Sequence, residues 1–507
     1  MIRQSNLLLD ELLEYAPQLA KEHHEVGTSK RVTIQRQLKK DLQKLDSIYY
    51  EILDRFEKQV ELSTAGKWLI DNRYLLHEQY HYIQKNLRKD FFRRLPVLTS
   101  GRMKGSLRIY AILHHLLKQS DGSANPDVLL SFLWSYQQTQ PLTIGELWAV
   151  PLVLRFVIFH QMRELYEEIN RFRLSKAQET LWKNKVVPLL KRQTRDLNKA
   201  ILSMEKHLDL SDPAVLLFLE KQFRRAAGFK PLSKWLEARS TAQNLPLPKL
   251  LEEEENAQAR SGVVAGNLFT SLQEINRTNW TEYFEELSLV EQSLRQDPAR
   301  VYPEMDFESR NLLRNELELL ARDTRTSEVK VAETVLSLAQ AGKGTGDDPL
   351  KGHVGYYLLD EGLSQLTKAL GSKRFGMRQV RSVMRANPNL TYFSLLGLLF
   401  TLPFALLLQT VYSLLNLGPL QLIICGLLMV APIGEIAIRI LHALLMRIVP
   451  PRPLPKIEFR NGIPIEYSTM VVVPTLLTSS SDLRKLLKQL EVYHLANQDP
   501  HIYFALL

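Results

Sequence analysis

The chain has 507 residues, 45% hydrophobic and 24% charged, the bulk of an ordinary globular protein of roughly two to four domains. Its net charge of +10 is interleaved with acids along helical segments. No basic patch threaded with aromatics is present to stack bases, so nucleic acid is not an expected partner. The single cysteine, Cys425, excludes an intrachain disulfide framework.

The opening, MIRQSNLLLDELLEYAPQL, mixes acids among its leucines and lacks the continuous apolar core of a secretory signal. Residues 1–62 read as N-terminal helices. Ile34, Leu38, Leu42, Leu45, Tyr49 and Ile52 recur at spacings of 3 and 4, the stripe of an amphipathic helix from Arg31 to about Leu62. Residues 63–341 read as a helical cytoplasmic domain. Its first helix follows Ser63-Thr64-Ala65-Gly66 and is expected to stop at Pro96. A loop at Ser100-Gly101, a turn at Asp121-Gly122 and short helices lead to QPLTIGELWAVPLVLRFVIFHQMRELYEEINRF. Thr143 and Glu146 form a capping-box pattern there. Pro151 and Arg155 interrupt the apolar centre, which reads as a buried central helix rather than a membrane span. Asn244 to Pro248 reads as a linker and Leu251 to Arg260 as a charged helix. NLFTSLQEI and two further faces follow, and Ala341 to Asp348 is expected to be a flexible loop.

Residues 342–388 comprise that loop, a helix and a basic juxtamembrane segment. Residues 389–448 form an expected transmembrane hairpin, because Leu390 to Gly434 contains no Asp, Glu, Lys or Arg. About 20 apolar residues cross a bilayer, so this run suffices for two crossings that turn at Asn416 to Pro419. Lys373, Arg374, Arg378, Arg381 and Arg385 precede it, and Arg439, Arg447, Arg452 and Lys456 follow. The connecting loop is uncharged, so both chain ends are expected on the cytoplasmic side. Glu435 and Arg439 can pair at i and i+4.

Residues 449–466 form a proline-rich tether. Residues 467–507 read strand, helix, strand: TMVVV closed by Pro474, a helix after Ser479 to Asp482, then IYFAL. That is a parallel βαβ unit, expected to open an α/β domain that continues beyond Leu507. The fold class is thus mainly α, with a two-helix membrane hairpin and the first βαβ of an incomplete α/β domain of GT-A-like type.

Few residues suggest chemistry. His77-Glu78-Gln79-Tyr80-His81 matches H-E-x-x-H, which places two imidazoles on one helix face with a glutamate as base. Catalytic zinc needs a third protein ligand, and Leu87 stands where the extended pattern places a third histidine. A packed helix face is the favoured reading, and no metal site is assigned. His23-His24 and His114-His115 are adjacent pairs that point to different helix faces. Trp68, Trp134, Trp148, Trp235 and Trp280 sit at helical spacing among aliphatics and read as core, with a sugar-stacking surface as the alternative. Glu252 to Glu255 read as a solvated face. In α/β folds ligands sit beyond the carboxyl ends of parallel strands, so Pro474 and Thr475 are the candidate nucleotide-sugar contacts.

WLIDNRYLLHEQ, QPLTIGELWAVPLVLR, NWTEYFEELSLVEQSLRQDPARVYPEMDFESR, HVGYYLLDEG and VVVPTLLTSSSDLRKLLKQLEVYHLANQDPHIYFALL resemble, in order, the N-terminal part of bacterial cyclic β-1,2-glucan synthases. The resemblance runs from about Trp68 to Leu507. It implies a bacterial inner-membrane protein whose partners are the lipid bilayer, UDP-glucose, β-1,2-glucan and the remainder of the synthase. It also implies a divalent metal, Mg or Mn, held with UDP-glucose in a downstream transferase domain. The family's catalytic motifs lie beyond Leu507, so no catalytic residue is expected in this chain and transfer by it alone is not expected. A membrane-anchored helical scaffold or sensor that binds a partner protein is the alternative reading. Aromatics lining a groove on the helical domain would favour the synthase.

Overall fold

The computed structural model describes residues 2–24, 26–28, 34–57, 62–171, 176–188, 197–225, 230–242, 244, 246–344, 348–371, 384, 387–415, 417–449, 451, 454–459, 462–475 and 480–507. Lys373, Arg374, Arg378, Arg381, Arg385, Asn416, Arg452 and Ser479, invoked above, lie outside them. The fold is mainly helical with few strands, and the chain forms two compact units, Met1–Leu289 and Val290–Leu507.

In the first unit α1 (Ile2–Glu22), β1 (Val26–Thr28), α2 (Ile34–Glu57), α3 (Thr64–Asn86), α4 (Lys89–Phe92), β2 (Pro96–Leu98), α5 (Arg108–Gln119), α6 (Pro126–Gln137) and α7 (Ile144–Arg171) follow in order. Along α2 the stripe buries Ile34, Leu38, Leu42, Leu45, Ile48 and Ile52, while Tyr49 is half-buried. The side chain of Ser63 caps α3 by accepting from the Gly66 amide at 3.2 Å. Helix α3 ends at Asn86 rather than at Pro96, which instead opens β2. The antiparallel pair of β1 and β2 was not expected. Three residues per strand are too few for a period-2 signal, and their partners lie some seventy positions apart.

Helix α7 begins with the anticipated box: the Thr143 amide and hydroxyl donate to Glu146 at 2.9 and 3.0 Å, and the Glu146 amide returns to Thr143 Oγ1 at 3.2 Å. Its apolar stretch is 78% buried among α2, α3, α5 and the helix α12 described below. It passes through Pro151, and Arg155 donates to the Pro151 carbonyl at 2.7 Å.

Then come α8 (Lys176–Leu181) with a π turn (Trp182–Val186), α9 (Leu197–His207), α10 (Pro213–Arg225) and α11 (Lys230–Ala242). They close a smaller core around Met204, Leu216, Phe223, Leu232 and Leu236. Two expected pieces and the end of the expected linker merge into α12 (Leu247–Arg277), 31 residues long. Pro248 falls in its first turn, where the missing N–H has no intrahelical partner to lose. Glu254 is a correction to the solvated face: it is 5% exposed and paired with Lys221 at 2.6 Å. Gly262 and Gly266 let α12 close on α3, since a Cβ there would meet Thr64 at 3.0 Å and the Trp68 indole at 3.2 Å. α13 (Trp280–Leu287) completes the unit.

The second unit begins with α14 (Leu289–Leu294), α15 (Phe307–Thr324), α16 (Glu328–Gly344), α17 (Val354–Leu359) and α18 (Leu363–Ala369). The expected loop at Ala341 is helix as far as Gly344, and residues 345–347 lie outside the described set. A Cβ on Gly342 would collide with the Lys351 carbonyl oxygen and lie 2.6 Å from Tyr357 Oη. The glycine is there for close approach.

α19 (Pro388–Leu415) and α20 (Pro419–Ile448) form an antiparallel hairpin. Their apolar stretches are 0% and 17% buried, and at roughly 42 and 45 Å each exceeds a bilayer's hydrocarbon core. Among the described residues three helices, these two and α7, are long and apolar enough to cross a membrane. The two exposed ones are consistent with a membrane location; α7 is already covered by protein. Gly426, Ile433, Ala437 and Leu441 form the buried seam of α20. Small residues there let the helices approach: a Cβ added at Gly426 would lie 3.6 Å from the Phe404 ring. Glu435 and Arg439 pair at 2.6 Å and are exposed.

The tether then bonds back to the helical part of its unit. Glu458 donates to Glu304 O at 2.8 Å, Asp306 donates to Lys456 O at 3.0 Å, and Met305 bridges Ile457 antiparallel. The chain ends in β3 (Thr469–Val473), α21 (Ser480–Ala496) and β4 (Ile502–Leu506), with β3 and β4 parallel from Thr469↔Ile502 to Val473↔Leu506.

Candidate functional site

Pro474 and Thr475 lie at the carboxyl end of the parallel pair. The Thr475 amide donates to Leu507 O at 2.8 Å, and Pro474 is exposed. Asp499 sits at the opposite end and accepts from the Ile463 and His501 amides, which hold its carboxyl below the usual range.

His77 is paired with an acid on α2. Its Nε2 lies 2.9 Å from Asp46, which also pairs with Arg73 at 3.0 Å. Glu78 and His81 are exposed. Among the described residues no group of three or more His, Cys, Asp and Glu side chains is arranged to hold a metal ion.

The adjacent histidines do diverge, but tertiary packing regroups them. His24 is exposed on Lys21 O, while His23 turns inward to Tyr136 Oη at 3.2 Å and to the ring of His115. His115 Nδ1 meets Tyr15 Oη at 3.2 Å, and His114 lies against His160 and Tyr110. Burial lowers His23 and His114 to about 4. His160 is raised to about 9, first by its hydrogen bond to Asp41 and then by that to Glu164. Sequence reasoning missed this seam because no short spacing links residues 23, 115 and 160.

A groove opens on the first unit between α3, α4 and α7, with a volume of about 190 Å³. Tyr82, Phe91, Phe92 and Trp148 line it together with Asn86, Arg88 and Pro151. Tyr82 is 45% exposed, and Trp148 is braced from behind by Phe284, with ring centroids 4.3 Å apart and planes within 15°. Behind the groove Arg155 is buried, bonded to Gln79 and Asn276 at 2.7 Å each and 4.4 Å from the Tyr82 ring centre. Of the five tryptophans read as core, Trp148 therefore also faces a cleft. Trp68 stacks on Phe269, and Trp280 donates to Ile275 O at 2.8 Å.

In the second unit the stretch from Glu291 to Arg314 and the one beginning at His353 meet around two buried carboxylates. Glu291 accepts from Arg314 at 2.7 Å, Tyr302 Oη at 2.6 Å and Arg295 at 2.9 Å. Asp297 accepts from His353 Nδ1 at 2.8 Å and from the Val301, Tyr302 and Val354 amides. Burial pushes both acids up, but these partners outweigh it and hold both below the usual carboxylate range. Two of the stretches that carry the family resemblance are thereby one structural knot.

No family model matches the chain. The chain is similar to a cyclic β-(1,2)-glucan synthase, NdvB of Rhizobium meliloti (strain 1021), with 27% identity over 462 residues. The similarity covers 89% of this chain and 16% of the length of that protein. The ordered motifs and this extended similarity agree: the chain is related to a cyclic β-(1,2)-glucan synthase, of which it spans about a sixth.

Proposed function

We propose that this chain is the N-terminal membrane-anchoring and helical region of a cyclic β-1,2-glucan synthase, supporting glucosyl transfer from UDP-glucose by a downstream domain. The observation that carries the reading is similarity along 89% of the chain to the NdvB synthase. The hairpin of α19 and α20 anchors the protein in a bacterial inner membrane. Basic residues flank it on both outer sides and none lies in its turn, which keeps the helical and C-terminal parts in the cytoplasm.

The parallel pair of β3 and β4 with α21 is the opening of a GT-A-like domain, and its carboxyl end at Pro474 and Thr475 faces the nucleotide sugar. By resemblance to the synthase family, the Mg or Mn ion that would accompany UDP-glucose belongs to the downstream domain. The chain alone is inactive.

Membranes carrying the chain, with and without a downstream transferase domain in continuous frame, are incubated with labelled UDP-glucose. Label entering β-1,2-glucan only with the downstream domain is the expected result. Transfer by the chain alone, or none with both parts present, overturns the proposal.

A further inference from the structure

We propose that the groove between Tyr82 and Trp148 is a glucan-holding subsite that seats one glucosyl residue of a neutral β-glucan chain. The inference rests on reading the protein as part of a glucan synthase and assigns this groove a ligand. Pyranose rings present C–H faces and a rim of hydroxyls. They are held by aromatic walls that stack and by a few polar groups that fix orientation. The groove has both: rings of Tyr82, Phe91 and Trp148, with Asn86 and Arg88 beside them.

Trp148 is rigid because Phe284 stacks behind it, so little side-chain freedom is lost on binding. Among the described residues no carboxylate lines the groove, which disfavours a cation or a basic peptide. A phosphate would need several converging donors. Among the described residues Arg88 is the one cation in the lining, and Arg155 behind it is committed to Gln79, Asn276 and the Pro151 carbonyl. The volume of about 190 Å³ lies below the roughly 300–1,000 Å³ of pockets for drug-sized ligands, which suits a single ring.

The test uses the full chain in lipid nanodiscs, titrated with a short linear β-1,2-linked glucooligosaccharide and followed by calorimetry and tryptophan fluorescence. Saturable binding is expected, weakened about tenfold by Asn86→Ala and by Tyr82→Ala. Tyr82→Phe keeps the ring beside Arg155 and is expected to bind as the parent does, which separates loss of the wall from loss of fold. Tyr74→Ala, at a 65% exposed tyrosine outside the groove lining, is expected to change nothing. Absence of saturable binding, or binding indifferent to both alanine variants, overturns the subsite. If membranes still make glucan in that case, only the groove is refuted and the synthase reading stands. If groove-dependent binding is seen where no glucan is made, the groove survives and the synthase reading falls.

Discussion

Glu146 is the residue whose loss the structure predicts most sharply. It is 0% exposed, and both its oxygens are occupied: Arg108 donates at 2.8 and 2.5 Å, and Thr143 donates through its amide and hydroxyl. Arg108 is 3% exposed and also donates to the Pro141 carbonyl at 3.1 Å. Glu146→Gln keeps the side chain's length but removes the carboxylate charge that faces the buried Arg108 guanidinium at 2.5 Å. Breaking a buried pair from one side costs about 3–5 kcal/mol. Glu146→Ala adds the loss of the helix cap, about 1 kcal/mol more. The assay is thermal unfolding of the purified protein in detergent, followed by tryptophan fluorescence, with Trp148 two residues away. At roughly 2–4 °C per kcal/mol for a domain of this size, Glu146→Gln is expected to lower Tm by about 10 °C. The double variant Arg108→Met/Glu146→Leu removes both charges and is expected to recover most of that loss. A Tm drop below about 2 °C, or a double variant that costs the sum of its singles, refutes the reasoning.

Three further outcomes follow from particular contacts. Gly342→Ala places a methyl against the Lys351 carbonyl and Tyr357 Oη and is expected to cost more than about 2 kcal/mol. Gly344→Ala, with open space around it, is expected to be neutral or slightly stabilising; equal effects in a denaturation series would refute the packing. Stability should also depend on pH through the histidine seam. His160, raised to about 9, contributes stability that is full below 6.5 and is lost as pH rises through 9. His23 and His114, lowered to about 4, remain neutral when folded, so stability falls as pH drops from 6.5 towards 4. A Tm–pH profile should show both limbs, and His160→Gln should flatten the alkaline one. Glu458→Pro removes the amide that donates to Glu304, worth about 1 kcal/mol. Hydrogen exchange at the neighbouring Asp306 amide is then expected to quicken about fivefold, and unchanged exchange would show that the tether is held elsewhere.

Local chemistry was enough to specify much of this protein. The capping box of Thr143 and Glu146, the stripe along α2 and the charge-free run from Leu390 to Gly434 depend on neighbours within a turn or on composition over one element. The strand, helix, strand order at the end is local in the same sense, and the parallel pair of β3 and β4 formed as that order implies. Tertiary packing decided what depended on partners far along the chain. It paired Val26–Thr28 with Pro96–Leu98, joined Leu247–Arg277 into one helix and buried Glu254 against Lys221. It carried helix to Gly344 because Gly342 admits the Lys351 backbone. The H-E-x-x-H spacing described a helix face correctly, yet its chemistry was set by Asp46, 31 residues upstream of His77. The groove is of the same kind. Tyr82, Phe91 and Trp148 come from three helices, and only the packing of α3, α4 and α7 turns separate core-like aromatics into one lined cleft. Periodicity records which face of an element is apolar; which faces meet depends on contacts between segments far apart in the chain.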